Sequence, residues 1–199
     1  MADIADIPIF PLNTVLYPGG RLPLRIFETR YVDMTKACIR DNSVFGVCQI
    51  LEGQETGKPA VPARVGCTAR IVQWDVPAAG LFTLVTEGES VFRIQEQWST
   101  KGGLLRANVR LQEPLEPPAA LPERYKRLSR LLQEIIEKLG AEHFASPLRL
   151  NEAAWVAWRL AEMLPLERDF KLRLLEAGDP LEFLGPIEEA VRSAVKDRH

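Results

Sequence analysis

Glu113-Pro114-Leu115-Glu116-Pro117-Pro118-Ala119-Ala120-Leu121-Pro122 separates two kinds of sequence. Four prolines in ten residues remove backbone donors and fix φ, which bars a helix interior or a central strand. Before this connector the apolar runs are short and bounded by turn residues. Ile7–Phe10, Leu22–Phe27, Val44–Leu51, Val65–Val76, Leu81–Glu87, Ser90–Trp98 and Leu104–Leu111 read as strands. Leu105, Ala107, Val109 and Leu111 alternate with Arg106, Asn108 and Arg110, as a half-buried strand requires. Gly80, Gly88 and Gly102-Gly103 are expected to supply the tight turns between strands. Glu28–Asp41 breaks the pattern: it lacks Pro and Gly, and Tyr31, Met34, Ala37 and Cys38 recur at helical spacing.

After the connector the periodicity is helical. Tyr125, Leu128, Leu132, Ile135 and Leu139 step by three and four along Glu123–Leu139, and Gly140 is a natural stop. Asn151 is expected to cap Glu152–Leu164, and Pro165 separates that helix from Leu166–Ala177. Asp179-Pro180-Leu181-Glu182 combines an N-cap, Pro at the first helical position and Glu three residues after the cap. Gly185-Pro186 is expected to kink or split the last helix. The expectation is an α+β fold. Residues 1–117 form a β-rich subdomain of about six or seven strands with one inserted helix, closing into a barrel or sandwich. Residues 118–199 form a bundle of about four helices.

Charge excludes a polyelectrolyte partner. The 199 residues carry 25 Lys+Arg and 27 Asp+Glu, and each side of residue 117 has a net charge of −1. Nucleic-acid binders show a basic excess or a basic face; here only a local patch could act. Arg124, Lys126, Arg127 and Arg130 form one, against the macrodipole of the helix they open. No run approaches the roughly 20 apolar residues of a membrane span. The acidic Met1–Asp6 segment does not read as a secretory signal. Three cysteines, Cys38, Cys48 and Cys67, form no CxxC pair and sit among apolar neighbours. They read as small buried thiols in a reducing cytoplasm.

Catalytic motifs fail on inspection. Gly53-Gln54-Glu55-Thr56-Gly57-Lys58-Pro59 has three residues between its glycines, lacks the Mg²⁺-binding hydroxyl and precedes a strand, so it is read as a hairpin loop and not a phosphate cradle. Gly88-Glu89-Ser90-Val91-Phe92 lacks the second glycine of a nucleophile elbow. His143 and His199 are the only histidines, which leaves little for a Ser-His-Asp triad or a catalytic zinc. No catalytic, cofactor or metal residue is assigned. Trp74–Phe82 is a hairpin tip whose aromatic and aliphatic residues belong either to the core or to an exposed apolar patch for extended chains.

Longer motifs carry a resemblance. Ile7-Pro8-Ile9-Phe10-Pro11-Leu12-Asn13, Val15-Leu16-Tyr17-Pro18-Gly19-Gly20, Leu22-Pro23-Leu24-Arg25-Ile26-Phe27-Glu28 and Arg30-Tyr31 with Met34 resemble the opening of the Lon protease N-terminal domain. Val65-Gly66-Cys67 with Ile71, and Leu84–Gly88 with Phe92-Arg93-Ile94, are similar to two of its strands. Leu164-Pro165-Leu166, Lys171-Leu172, Leu174-Leu175-Glu176 and Asp179 are similar to its helical tail. The resemblance implies a PUA-like pseudo-barrel followed by a helical bundle. It implies a stand-alone recognition domain of bacterial type, without the ATPase and Ser-Lys protease modules of Lon. Gly185-Pro186 departs from the usually continuous last helix.

The leading expectation is a non-catalytic module, not an enzyme. It would bind unfolded or partner polypeptides in a substrate-recognition or adaptor role linked to protein quality control, with no cofactor and no membrane. Contacts are expected at Trp74, Leu81 and Phe82 or at Arg124, Arg127 and Arg130; a homodimer is left open. The alternatives are an RNA-binding PUA-like barrel, argued from fold analogy and the Arg124–Arg130 cluster, and a small hydrolase with an unrecognised site.

Overall fold

The structure is a computed structural model that describes residues 3–57, 60–114, 116–177 and 180–196. The chain forms two compact units, Met1–Gln112 and Glu113–His199. The first contains β1 (Asp3–Leu12), β2 (Arg21–Ile26), α1 (Thr29–Asp41), β3 (Phe45–Glu52), β4 (Val61–Ala78), β5 (Leu81–Ser99) and β6 (Leu105–Leu111). The second contains α2 (Lys126–Leu139), α3 (Ala153–Met163), α4 (Arg168–Glu176) and α5 (Leu181–Lys196).

Strand pairing runs β2-β5-β4-β3-β1-β6, and β6 returns to pair with β5. Five strands therefore close a ring, and β2 is attached to it from outside. β1 runs parallel to β3 and antiparallel to β6. It is buried on both faces: Ile7 and Ile9 pack with Phe92, Ile94 and Val109, while Phe10 and Leu12 pack under α1. α1 presents Tyr31, Met34 and Cys38 to that second cluster, with the Phe10 and Tyr31 ring centroids 4.1 Å apart. It stops at Asn42, whose left-handed backbone donates to the Cys38 carbonyl. All three cysteines are free and buried, and burial pushes the Cys48 thiol well above its ordinary range.

The strands expected over Leu81–Glu87 and Ser90–Trp98 are one continuous strand, β5. Gly88 makes no turn. Its N–H donates to the Gly20 carbonyl at 2.9 Å, and its carbonyl accepts from the Gly19 N–H at 2.7 Å. A Cβ at this position would collide with the Tyr17 carbonyl. The residue is small so that the 17–20 turn can lie directly on the strand. Gly80 and Gly103, both at positive φ, do form turns.

In the second unit α3 packs against α2, α4 and α5. A 3₁₀ turn, Glu123–Tyr125, precedes α2. The buried stripe of α2 is Leu128, Leu132 and Ile136, with Ile135 half-buried and Leu139 55% exposed. The N-cap of α3 is Glu152, not Asn151, and no side chain caps it. Asp179, expected to cap the last helix, lies outside the described residues. α5 runs unbroken through Pro186, which removes only the donor to the Glu182 carbonyl one turn earlier.

Among the described residues Arg159 is the most deeply buried charge, at 1% exposure. Its guanidinium donates to the Glu162 carboxylate at 2.8 Å and lies 5.8 Å from the Trp155 ring centre. Burial pushes the Glu162 carboxyl up to about 7 against the pull of Arg159 and Lys171. Burial also lowers the Lys171 ammonium, opposed by Glu162.

Two outcomes are expected. Gly88→Ala should destabilise the first unit by about 3 kcal/mol, because backbone cannot move aside as a side chain can; urea unfolding checks it. Folded Glu162 holds its proton from about pH 4.5 to 7, where the unfolded carboxyl has lost it. Its contribution to stability is full below about pH 4.5 and declines as pH rises through 7. Glu162→Gln should flatten that decline in pH-dependent melts; an equally steep profile would place the titration elsewhere.

Candidate functional site

β4 pairs with β3 only as far as Ala69. From Ile71 onward it is paired with β5 alone, so β4 is the free edge of a three-stranded β2-β5-β4 ribbon and has no strand partner on its other side among the described residues. Cross-strand neighbours share a face. Trp74 stands opposite Leu84, and Leu84 in turn stands opposite Leu24 on β2. This face grades from core to solvent: Leu84 is buried, whereas Trp74 is 54% exposed. Val72 and Val76 on the same strand are also exposed.

The sequence-flagged residues of this hairpin divide accordingly. Phe82 is 7% exposed and belongs to the core beneath α1, and Leu81 is half-buried. Trp74 is the exposed member, its ring centre 6.4 Å from that of Phe82. The bulk of Phe82 thus supports Trp74 from below.

The basic cluster in the second unit is largely engaged. Arg127 pairs with Glu188, which also pairs with Arg192 at 3.2 Å, and the Arg127 hydrogen bond holds the Glu188 carboxyl below its usual range. Lys126 pairs with Glu123 at 2.6 Å. Arg124 lies over the Tyr125 ring, 4.7 Å from its centre. Arg130 is exposed.

The residues of the motif-like stretches take their places in the fold. The 53–57 segment joins β3 to β4, and the Glu55 carboxylate accepts from the Asn13 N–H at 2.6 Å; Lys58 and Pro59 lie outside the described residues. Ser90 is a strand residue whose N–H donates to the Thr68 hydroxyl at 3.0 Å. His143 is exposed in a 3₁₀ turn, and His199 lies outside the described residues. Among the described residues no three His, Cys, Asp or Glu side chains cluster as metal ligands. No helix among them is long and apolar enough to cross a membrane.

One surface escaped the strand reading. Leu22, Leu24 and Ile26 turn toward the core, so Phe27, read as the last residue of that strand, falls on the other side and is 62% exposed. It stands between two concavities. One, of about 250 Å³, is lined by Leu24, Arg25, Tyr31 and Glu55; the other, of about 590 Å³, is lined by Arg30, Lys101 and Gly103. The signal was in the sequence: an aromatic directly after Ile26 breaks the alternation.

A ring of five strands with an external sixth, followed by helices, is an architecture found in solved Lon N-terminal domains. The family described as ATP-dependent protease La (LON) substrate-binding domain matches residues 6–190. The chain belongs to the LON substrate-binding domain family. A LON N-terminal domain protein from Xanthomonas campestris superposes with a TM-score of 0.75 at 36% identity, covering 94% of this chain and 98% of that one. The N-terminal domain of Mycobacterium avium complex Lon protease shares the fold, with a TM-score of 0.62 at 23% identity over 93% of this chain and 97% of that one. Lon protease 2 of Myxococcus xanthus is 34% identical over 92 residues, 45% of this chain. Lon protease of Cytophaga hutchinsonii is 27% identical over 134 residues, 66% of this chain. The chain spans only 11% and 16% of the length of these two curated relatives.

The LON ribbon makes a clean stability contrast. Phe82→Ala should cost about 3–5 kcal/mol through loss of a packed core ring. Trp74→Ala should stay within about 0.5 kcal/mol, as for an exposed substitution. Urea titration of both variants checks the pair.

Proposed function

We propose that this chain is a non-catalytic polypeptide-binding module that acts in substrate recognition or as an adaptor in protein quality control. The observation that carries the reading is the ribbon face around Trp74. An aromatic ring and two valines are exposed on a strand whose outer edge is unpaired among the described residues. Exposed apolar surface joined to free backbone donors and acceptors is what an extended chain can add to. Membership of a substrate-binding family supports the same reading. Trp74 is the anchor, with Val76 beside it; Leu81 adds contact at the tip and Phe82 sets the ring from within.

We place the protein in the cytoplasm, where three free thiols remain reduced. The RNA alternative draws less support, because Arg127 and Lys126 are already paired with carboxylates. Arg124 and Arg130 are the members of that cluster left for a partner, which could include a second copy of the chain.

Binding of a permanently unfolded model protein, measured by fluorescence anisotropy, tests the proposal. Saturable binding is expected, weakened about tenfold or more in a Trp74→Ala, Val76→Ser double variant, the range of an interface anchor. No saturable binding, or turnover of a small molecule by the purified chain, would overturn it.

A further inference from the structure

A second surface of the first unit is suited to a narrower class of ligand. β2 is paired on one side by β5, and no strand among the described residues pairs with its other side. The Gly88 N–H donates to the Gly20 carbonyl at 2.9 Å, and the Thr86 hydroxyl donates to the Leu22 carbonyl at 3.0 Å. Even-numbered residues therefore turn their backbone groups toward β5. Antiparallel alternation turns those of Arg21, Pro23 and Arg25 outward. Pro23 has no N–H to offer, so this edge cannot template an extended sheet. It still presents the Pro23 carbonyl and both backbone groups of Arg25, enough to hold one short segment.

The charges around this edge are not balanced locally. Glu28 is paired with Arg30 at 2.9 Å. Arg30 also donates to the Gly103 carbonyl at 3.1 Å and lies 4.6 Å from the Tyr31 ring centre. Glu55 accepts from the Asn13 N–H, which fixes its carboxylate but leaves its charge, so the two concavities are lined by three cations, Arg25, Arg30 and Lys101, against two carboxylates, Glu28 and Glu55. Arg25 and Lys101, by contrast, are exposed and have no ion pair or hydrogen-bond partner among the described residues. They flank Phe27, one in each of the two concavities. The arrangement is an exposed aromatic ring between two uncommitted cations, beside an open strand edge.

We propose that the Phe27 groove binds an extended segment of a partner polypeptide in which a large apolar side chain is flanked by carboxylates. The apolar side chain packs on Phe27 and into the 250 Å³ concavity beside Leu24 and Tyr31. The carboxylates meet Arg25 and Lys101, and the segment's backbone bonds to the outer edge of β2 at Arg25. The proposal rests on the polypeptide-binding reading and adds a sequence preference that the Trp74 ribbon does not confer.

The experiment uses the full chain and three dye-labelled twelve-residue peptides, read by fluorescence anisotropy at low and high salt. One alternates Phe and Glu, one replaces each Glu by Lys, and one replaces each Phe by Ala. The Phe–Glu peptide is expected to bind at least tenfold more tightly than either of the others, and more weakly at high salt. Phe27→Ser should remove about tenfold of that affinity. Arg25→Glu with Lys101→Glu should invert the preference toward the Lys peptide. Both variants alter exposed side chains, and circular dichroism melts confirm that they remain folded. Equal binding of acidic and basic peptides, or a preference unchanged by the double reversal, would overturn the proposal. So would loss of Phe–Glu binding in Trp74→Ala but not in Phe27→Ser. That last result would leave the general polypeptide reading standing, whereas failure of the unfolded model protein to bind would remove that reading as well.

Discussion

The first unit depends on the length of β5. Its first half carries β2 and its second half closes the ring through β6, while β4 lies along both. One strand can serve three partners only if it runs without interruption across the point where its neighbours change. Gly88 sits at that point, under the turn that delivers the chain into β2. The close approach there fixes where β2 begins and, through antiparallel pairing, which of its residues face inward. Leu22, Leu24 and Ile26 reach the core, and Arg25 and Phe27 reach solvent. The Phe27 surface and the barrel closure thus share one steric condition.

The second unit is organised around α3, whose neighbours α2, α4 and α5 bury six of its nine apolar residues. Arg159 is the exception in that interior. A guanidinium removed from water needs a counter-charge or loses several kcal/mol. Glu162, one turn along the same helix, supplies a hydrogen-bond acceptor at 2.8 Å, and a counter-charge once its proton leaves near pH 7. Partial desolvation raises the carboxyl while Arg159 pulls it down, so the pair balances desolvation against attraction. α3 consequently tolerates a charge that fixes which face of the helix turns inward.

Local signals made most elements legible. Short apolar runs bounded by turn residues placed β1, β2 and β3, alternation placed β6, and helical spacing with neither Pro nor Gly placed α1. The misreadings have a common cause: a residue type whose role depends on something remote. Gly88 marks a turn or a close approach with equal ease, and the Tyr17 carbonyl that decides between them is distant in sequence. In α2 the stripe holds through Leu128 and Leu132 and departs at its end, where Ile136 is buried and Leu139 is exposed, because what packs on the last turn is set by tertiary contacts. Trp74 and Phe82 looked alike as hairpin aromatics, and only the register separated the exposed ring from the buried one. Phe27 was hidden for the opposite reason. It was counted as a strand end when its position directly after Ile26 already set it on the outer face.

Open strand edges invite indiscriminate pairing, and the two edges here are limited in the same way by different residues. On β2, Pro23 removes a central donor and the outward side chains of Arg21 and Arg25 add charge. On the β4 ribbon, Asp75 and Pro77 interrupt the run Val72-Gln73-Trp74-Asp75-Val76-Pro77, and the Asp75 carboxylate bonds to the Val76 N–H. Each device shortens the stretch of backbone to which another strand can bond. A second folded sheet needs several consecutive donors and acceptors, but a loose chain end needs only two or three and can place its side chains freely. The surviving edge groups therefore discriminate against folded sheets and in favour of short extended segments. Selectivity between segments then has to come from side chains: an aromatic ring alone at Trp74, and a ring between two cations at Phe27.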